Sequence, residues 1–305
     1  MFKDKNVLVA GGLGLIGNQL VKLLTSSGAI VKIADKKIDD DMDLTNYDNC
    51  LEACYDMDYV FNLLCVKGSP KAMKERPASH LVPMLMFNTN LMEAARECKV
   101  QRYLYTSSVG VYHPTDVLIE DDVWKTFPSV HDWYAGWTKR IGELQAQAYQ
   151  IQYGWDEISI VRPTNTYGPY DDFDSDGATA VPSLIRKFLS GKSPVVIWGD
   201  GSNVRDFMYS EDVARGMMLV MKKSPGPEYP VNLGSGKRYS IKDLVNIILS
   251  NIDEKPKLIW DTSEVTGDSV RVMDVSRAKS LGFEQTISLE EGIRKTIDWY
   301  RNEKI

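Results

Sequence analysis

The fold of this chain can be inferred first from residues 7–24, VLVAGGLGLIGNQLVKLL. A short apolar run is followed by three glycines, Gly11, Gly14 and Gly17, and then by apolar residues at helical spacing. Glycine in these places permits a tight turn, lets backbone N–H groups approach a pyrophosphate and allows the helix to pack against the strand. The stretch therefore predicts a strand–turn–helix unit that binds a dinucleotide.

An acidic residue downstream supports the same interpretation. Asp35 ends the second predicted strand, 18 residues after the last of these glycines. A carboxylate there would accept hydrogen bonds from the ribose hydroxyls and repel a 2′-phosphate, which favours NAD over NADP as the cofactor. Lys36 and Lys37 would attract that phosphate and so oppose the preference. Asp43 lies where it could reach the adenine amino group or, alternatively, cap the next predicted helix.

Strand-like and helical segments alternate through the first two thirds of the chain. Strands are predicted at 6–10, 30–35, 59–64, 102–108 and 158–163, and helices at 15–27, 46–55, 82–98 and 136–153. Parallel strands joined by helices are covered on both faces. The pattern predicts an α/β fold, a Rossmann-type doubly wound parallel sheet.

The pattern changes after Pro163 to short strands and turns. A further strand is expected at 230–236, with helices at 181–190, 240–252, 276–281 and 288–302. We expect a smaller α/β C-terminal substrate lobe built from separate pieces of chain. The predicted boundaries are 1–166 and 203–234 for the Rossmann domain, and 167–202 and 235–305 for the lobe.

Composition restricts the partners and the compartment. The chain has 305 residues and a net charge of −6, which argues against nucleic-acid partners. No apolar run approaches the roughly 20 residues of a membrane span, and the N-terminus lacks the pattern of a signal peptide. The four cysteines show no paired framework, and Cys50 with Cys54 would need two further ligands to hold a metal. We therefore expect a cytoplasmic protein with reduced thiols, no metal site and no membrane partner.

Seven segments together carry a family resemblance. They are GGLGLIG at 11–17, VFNLL at 60–64, TSSVGVY at 106–112, RPTNTYGP at 162–169, VVIWGDGSNVRDFMYSEDVA at 195–214, NLGSG at 232–236 and GDSVRVMDVSRAKSLGF at 267–283. In this order they resemble the NAD-dependent epimerase/dehydratase family, the extended short-chain dehydrogenases that act on nucleotide sugars. The stretch 165–189 is most similar to the GDP-fucose-synthase-like members of that family.

The resemblance implies hydride transfer between a sugar carbon and the nicotinamide. Ser108 and a tyrosine would bind the sugar oxygen, and Lys139 would lower the phenol pKa and hold the nicotinamide ribose. A serine at a strand end could alternatively do no more than cap a turn. The cofactor contacts implied are Gly11, Gly14, Leu15, Ile16, Gly17, Asp35, Asp43, Leu44, Leu63, Thr106, Lys139 and Pro163. The substrate contacts implied are Ser108, Asn165, Arg205 and Arg271, with the two arginines on the diphosphate of a nucleotide diphosphate sugar.

In the stretch DWYAGWTKRIGE, residues 132–143, the tyrosine is one residue away from the position expected for a catalytic tyrosine. The family places its tyrosine four residues before the lysine, where this chain has Ala135, whereas Tyr134 is five residues before Lys139. Three interpretations remain open. A π-bulge could absorb the extra residue, Tyr134 could lie just before the helix and swing in, or it could be an ordinary aromatic residue with no acid left at the site.

Two further positions restrict the reaction. Val109 and Gly110 stand where family dehydratases carry an Asp-Glu pair, so a dehydratase is not expected. Gly110 and Thr179 stand where GDP-fucose synthases carry a cysteine and a histidine for epimerisation. We therefore expect a C4-type epimerase that recycles its hydride on NAD. A 4-keto-sugar reductase and a non-catalytic cofactor-binding protein are the alternatives. The resemblance also implies a homodimer through the helices at 82–98 and 136–153.

Overall fold

The computed structural model describes residues 1–38, 42–66, 75–175, 177–264 and 267–304. Its strands are β1 Asn6–Ala10, β2 Ile30–Ala34, β3 Tyr59–Asn62, β4 Arg102–Thr106, β5 Ile158–Pro163, β6 Asn165–Tyr167, β7 Val195–Trp198, β8 Val204–Arg205, β9 Phe207–Tyr209, β10 Val231–Leu233, β11 Tyr239–Ser240, β12 Leu258–Asp261 and β13 Val270–Arg271. Six of them form the central sheet, in the order β10–β5–β4–β3–β1–β2. Every neighbouring pair in that sheet is parallel.

Helices cover both faces of the sheet and build the rest of the chain. They are Leu15–Ser26, Tyr47–Cys54, Pro77–Glu97, Trp133–Tyr153, Ala180–Leu189, Ser210–Lys223, Ile241–Ser250, Ser276–Ser280 and Leu289–Lys304. One apolar cluster packs under the helices 47–54, 77–97 and 133–153. A second packs under the helices 15–26 and 210–223 on the opposite face. The predicted fold class is confirmed.

A third apolar cluster forms the smaller C-terminal lobe. It contains residues of the helices 180–189, 241–250 and 289–304 together with the short strands around them. In that lobe β7 pairs with β12, while β8 lies between β11 and β13. None of the helices in the described ranges is long and apolar enough to cross a membrane.

Two helices begin earlier than the sequence predicts. The helix predicted from residue 82 begins at Pro77, and it continues through Pro83. Proline removes only one backbone hydrogen bond, and the buried side chains of His80 and Met84 hold that turn against the core. The helix predicted from residue 136 begins at Trp133, whose ring packs on Phe127 and on the next turn of the helix. Tertiary contacts therefore extend both helices beyond what periodicity indicates.

The sheet fixes where a ligand can bind. The chain passes from β2, on one side of β1, to β3, on the other side, so the helices on either side of this point cover opposite faces. Such a reversal leaves a crevice at the carboxyl ends of the two inner strands. Gly11 follows β1 and Leu63 follows β3, so both lie at this crevice.

Candidate active site

The glycine loop forms a close backbone cradle between β1 and the first helix. A methyl group on Gly17 would lie 2.2 Å from the carbonyl oxygen of Gly11, and one on Gly11 would lie 3.3 Å from that of Leu63. Gly14 precedes the helix without any side-chain cap, and Leu15 and Ile16 are its first residues. The first N–H groups of a helix have no partner within it, so this end can accept a pyrophosphate. The cradle fits the predicted dinucleotide.

Asp35 lies beside this cradle. Its Oδ2 accepts a hydrogen bond from Leu13 N at 3.0 Å, and its Oδ1 accepts one from Lys37 N at 3.0 Å. These bonds hold the carboxylate at the end of β2, where a cofactor ribose was expected. Asp43 pairs with Lys36 at 2.7 Å and accepts from Thr45 N at 2.9 Å.

The alternative role suggested for Asp43, capping the second helix, is wrong. Asn46 is the cap, because its side chain accepts from Asp48 N at 2.9 Å. Asp43 precedes the buried Leu44. The ion pair with Lys36 brings one acid and one base together shortly after β2, where the adenosine end of a cofactor is predicted.

Lys139 joins the carboxyl ends of two strands. Its Nζ donates to Thr106 O at 2.8 Å and to Leu64 O at 3.1 Å, above the Tyr105 ring. Burial lowers the pKa of this lysine. Two of the three ammonium protons are committed to the backbone, which leaves one for a ligand. Thr106 Oγ1 is buried beside it without a partner among the described residues, as expected at a polar ligand site.

Ser108 follows β4 and starts a short 3-10 turn, Val109–Val111. Its Oγ accepts from Gly110 N at 3.0 Å, so it caps this turn, as the simpler interpretation expected. No described residue accepts the Ser108 hydroxyl proton, which is thus free for a ligand. Pro163, at the end of β5, and the half-buried Leu63 complete the predicted cofactor contacts at the strand ends.

Tyr134 is not brought to Lys139. The chain is α-helical from Trp133 to Tyr153, so the π-bulge that could have absorbed the extra residue is absent. Tyr134 lies within the helix rather than before it. Five steps of about 100° leave the side chains of Tyr134 and Lys139 roughly 140° apart, whereas Ala135 shares the face of Lys139. The Tyr134 side chain is 40% exposed.

The structure brings the two predicted arginines together. Arg205 in β8 and Arg271 in β13 are opposite each other in a parallel pair. Arg271 Nε donates to Asp268 Oδ2 at 2.8 Å, and its Nη2 also contacts Asp132. Burial and the neighbouring Arg271 lower the pKa of Arg205 to about 10. An anion beside these arginines would relieve their mutual repulsion.

Asn165 lies next to the arginine pair. Its Nδ2 donates to the carbonyl oxygen of Asp206 at 2.9 Å. The Asp206 carboxylate in turn accepts from Ser235 N at 2.9 Å and from Gly236 N at 3.0 Å. Asp206 therefore ties the strand of Arg205 to the turn after β10.

The sequence analysis missed the acidic residues around these groups. Glu143 is buried below Ser108, where Ser107 Oγ donates to it at 2.5 Å and Arg162 Nη2 at 2.6 Å. Its position four residues after Lys139 placed it on the same helix face and could have indicated this role. Asp268 and Arg271 are not on a helix, so their spacing of three residues gave no such signal. Nothing local indicated that Asp132 would reach Arg271.

The comparisons with known proteins agree with this geometry. The sequence pattern of the NAD dependent epimerase/dehydratase family matches residues 7–234. GDP-L-fucose synthase 1 of Arabidopsis thaliana is 31% identical, over 98% of this chain and 94% of that protein. The chain also has the fold of a GDP-6-OMe-4-keto-L-xylo-heptose reductase from C. jejuni, with a TM-score of 0.90, 22% identity and coverage of 100% and 99% of the two chains.

An epimerase structure is similar as well. The UDP-N-acetylglucosamine 4-epimerase from Methanobrevibacter ruminantium M1 gives a TM-score of 0.84 at 27% identity, covering 99% of each chain. Both epimerases and reductases of nucleotide sugars are thus among the proteins that this chain resembles. The chain belongs to the NAD dependent epimerase/dehydratase family, which confirms the predicted family and the prediction of an enzyme.

Proposed function

We propose that this enzyme is an NAD-dependent nucleotide-sugar epimerase that removes a hydride from a sugar carbon, of the C4 type, and returns it to the other face. The observation that carries the proposal is Lys139. Its buried ammonium bridges Leu64 O and Thr106 O at the carboxyl ends of β3 and β4, where the crevice lies. The names of the similar proteins support a nucleotide sugar as substrate.

Each residue has a defined task in this proposal. NAD, when bound, supplies the hydride acceptor. Lys139 holds the nicotinamide ribose through its remaining N–H, and Ser108 donates a hydrogen bond to the sugar oxygen. Because Ala135 occupies the helix face of Lys139, the Ser108 hydroxyl is the group best placed to pass a proton to or from that oxygen, with solvent as the further exchange partner.

The substrate would be anchored by its diphosphate. Arg205 and Arg271 present two guanidinium groups side by side, and a guanidinium binds phosphate oxygens in a bidentate manner. Asn165 adds an amide from β6, which pairs with β9, the strand that follows Arg205 in the chain. The 31% identity to a GDP-L-fucose synthase supports a guanine nucleotide as the first ligand to test.

A 4-keto-sugar reductase is the second candidate. It is favoured by Lys36 and Lys37, which follow Asp35 and would attract the 2′-phosphate of NADPH. The same GDP-L-fucose synthase relative is consistent with this candidate. Against it stands Asp35, whose carboxylate is fixed by Leu13 N and Lys37 N on the ribose side of the crevice.

One experiment separates the two candidates. The purified enzyme is denatured, and any released nicotinamide cofactor is identified by chromatography. A second, native sample of the enzyme is incubated with GDP- and UDP-hexoses without added cofactor, and the sugar configuration is followed by NMR. Released NAD with epimerisation supports the epimerase, whereas oxidation of added NADPH by a 4-keto sugar supports the reductase. Cofactor binding without either reaction would leave a non-catalytic protein. Lys139→Met is the negative control, because it removes the ammonium from the crevice.

We further propose that the lobe boundaries are those indicated by the sequence, with 167–202 and 235–305 forming the substrate side. The third apolar cluster supports this division, because most of its members come from these two ranges. Limited proteolysis with and without a nucleotide sugar tests it. Protection should appear in the lobe and at Arg205, and cleavage patterns unaffected by the ligand would argue against a substrate lobe.

A further inference from the structure

Arg271 lies between two carboxylates at the place where the proposed function requires a phosphate. Its Nη2 is 2.5 Å from Asp268 Oδ2 and also forms an ion pair with Asp132 Oδ2. The Arg271 side chain is 15% exposed, and those of Asp132 and Asp268 are 17% and 6% exposed. The partners of Arg271 are thus inside the protein, where an ion pair is screened much less than on the surface.

The two carboxylates are held in different ways. Asp268 accepts from Ser129 Oγ at 2.7 Å and from Arg271 Nε at 2.8 Å, so it is fixed from two sides. Asp132 precedes the helix Trp133–Tyr153 but makes no capping hydrogen bond to it. Among the described residues, its buried Oδ2 forms the ion pair with Arg271 and has no other partner. Asp132 is therefore the partner that can be displaced.

Asp132 also lies near both expected ends of the substrate. A methyl group on Gly110 would be 3.4 Å from Asp132 Cγ and 3.5 Å from Ser108 Oγ. The carboxylate is thus near Ser108, the proposed sugar contact, and is paired with Arg271, a proposed diphosphate contact. A sugar bound to Ser108 and joined to a phosphate on Arg271 would pass close to this carboxylate.

The charges of the cluster sum to zero. Arg205 and Arg271 contribute two positive charges, and Asp132 and Asp268 contribute two negative ones. Burial and the neighbouring Arg271 lower the pKa of Arg205 to about 10, although Asp268 and Asp132 act in the opposite direction. A diphosphate meets a favourable field at Arg205 and a repulsive one at Asp132.

We propose that Asp132 is a specificity-determining residue whose carboxylate holds the phosphate position on Arg271 and is displaced only by a ligand that engages both arginines. This inference rests on the proposed function. An alternative place for the carboxylate exists nearby. Rotation of the Asp132 backbone from its ψ of 21° toward extended values would bring its side chain to the free N–H groups of Tyr134 and Ala135, where aspartate is a favoured helix cap. A diphosphate that spans Arg205 and Arg271 displaces Asp132, whereas a monophosphate on one arginine does not.

Calorimetric titration of the full-length enzyme with GDP, GMP, UDP and UMP tests the proposal. Asp132→Asn removes the charge and keeps both shape and capping ability. We expect it to bind the monophosphates about tenfold more tightly and the diphosphates about threefold more tightly, so that the preference for diphosphates narrows. Asp122→Asn, which removes the carboxylate of an exposed pair with Lys125, is the matched control and should change neither affinity.

Other outcomes decide between the two proposals. Suppose that the wild type binds a diphosphate and that Asp132→Asn binds all four nucleotides equally well or more weakly than the wild type does. This result would overturn the role of Asp132 and leave the proposed function standing. If neither protein binds any of the nucleotides, the proposed function fails. If nucleotide binding by the wild type is too weak to measure but Asp132→Asn binds, the result supports the inference. Asp132→Ser, which also caps a helix without charge, repeats the test if the asparagine variant does not fold.

Discussion

At the scale of single residues, the site depends on Lys139 and on the residue four positions before it. Burial lowers the pKa of Lys139, and its two backbone acceptors hold it at the ends of β3 and β4. A phenol on the same helix face would stand close to this ammonium. That position is Ala135, and the phenol of Tyr134 is on another face of the helix.

The first prediction concerns these two neighbouring positions. Tyr134→Phe should change kcat/KM by less than about threefold, because loss of a true general acid costs about 100-fold or more. Ala135→Tyr places a phenol on the face of Lys139 and should raise kcat. Steady-state kinetics with the identified nucleotide sugar measure both effects. A loss of about 100-fold in Tyr134→Phe would show that this tyrosine reaches the substrate after all.

The second prediction concerns the cysteines. Burial raises the pKa of Cys50 from 9.0 to about 12, whereas Cys65 is exposed. Above pH 9 the thiol of the unfolded chain ionises while the buried one stays protonated. The unfolded state then binds fewer protons, and the free energy of unfolding falls as pH rises from 9 toward 12, by at most about 1.4 kcal/mol per pH unit for this thiol.

Two measurements check the cysteine prediction. Thiol labelling of the native enzyme should modify Cys65 rapidly and Cys50 only on unfolding. In urea unfolding, Cys50→Ala should be less stable at neutral pH but show a shallower loss of stability above pH 9. Labelling of Cys50 at the rate of Cys65 would contradict its burial.

At the scale of elements, β1, the glycine loop and the first helix form one unit in which Gly14 and Gly17 are needed for different reasons. Gly17 is needed for packing, because a methyl group there would lie 2.2 Å from Gly11 O. A methyl group on Gly14 would lie 3.3 Å from its nearest atom, Gly11 O, so the fold tolerates a side chain there more readily. We expect glycine at this position to serve the approach of a pyrophosphate.

The third prediction separates these requirements. Gly17→Ala should lower the free energy of unfolding by about 2–4 kcal/mol and abolish NAD binding, because the helix must move away from the loop. Gly14→Ala should keep the melting temperature within a few degrees and still weaken NAD binding by about tenfold or more. Thermal unfolding and cofactor titration measure the two effects. Equal losses of stability in both variants would argue against the distinction.

At the scale of the whole molecule, two neighbouring helices, 77–97 and 133–153, leave apolar side chains exposed. Val82, Met86, Ile141, Leu144 and Ile151 are at least 40% exposed, and Ile151 reaches 85%. Exposed apolar residues grouped on adjacent helices mark an interaction surface more often than a bare face. The homodimer implied by the family resemblance would bury this surface and remains a prediction.

The fourth prediction tests that assembly. Leu144→Glu should convert the dimer to a monomer at micromolar concentration, because two charges would be buried at a two-fold interface. Light scattering after gel filtration gives the mass. Ile259→Glu changes an equally exposed residue, 44% against 47% for Leu144, in the lobe and should leave the dimer intact. A monomeric wild-type protein would directly contradict the predicted homodimer.

The family resemblance indicated Lys139, Ser108 and the two arginines, and local patterns were enough for the α/β class, the parallel strands and the glycine cradle. Each of these is carried by neighbouring residues, since hydrophobic period and turn chemistry are short-range signals. The helix starts at Pro77 and Trp133 were missed because contacts from distant residues stabilise the extra turns.

Only the tertiary structure decided how the charges are paired. Asp132 meets Arg271 from a distant part of the chain, and Glu143, on the helix 133–153, meets Arg162 of β5 and Ser107 after β4. The sequence showed that Tyr134 is one residue away from the expected tyrosine position. Whether the helix contains a bulge there depended on how the helix packs. Ion pairs and helix regularity are settled by burial and by long-range contacts, which no local pattern contains.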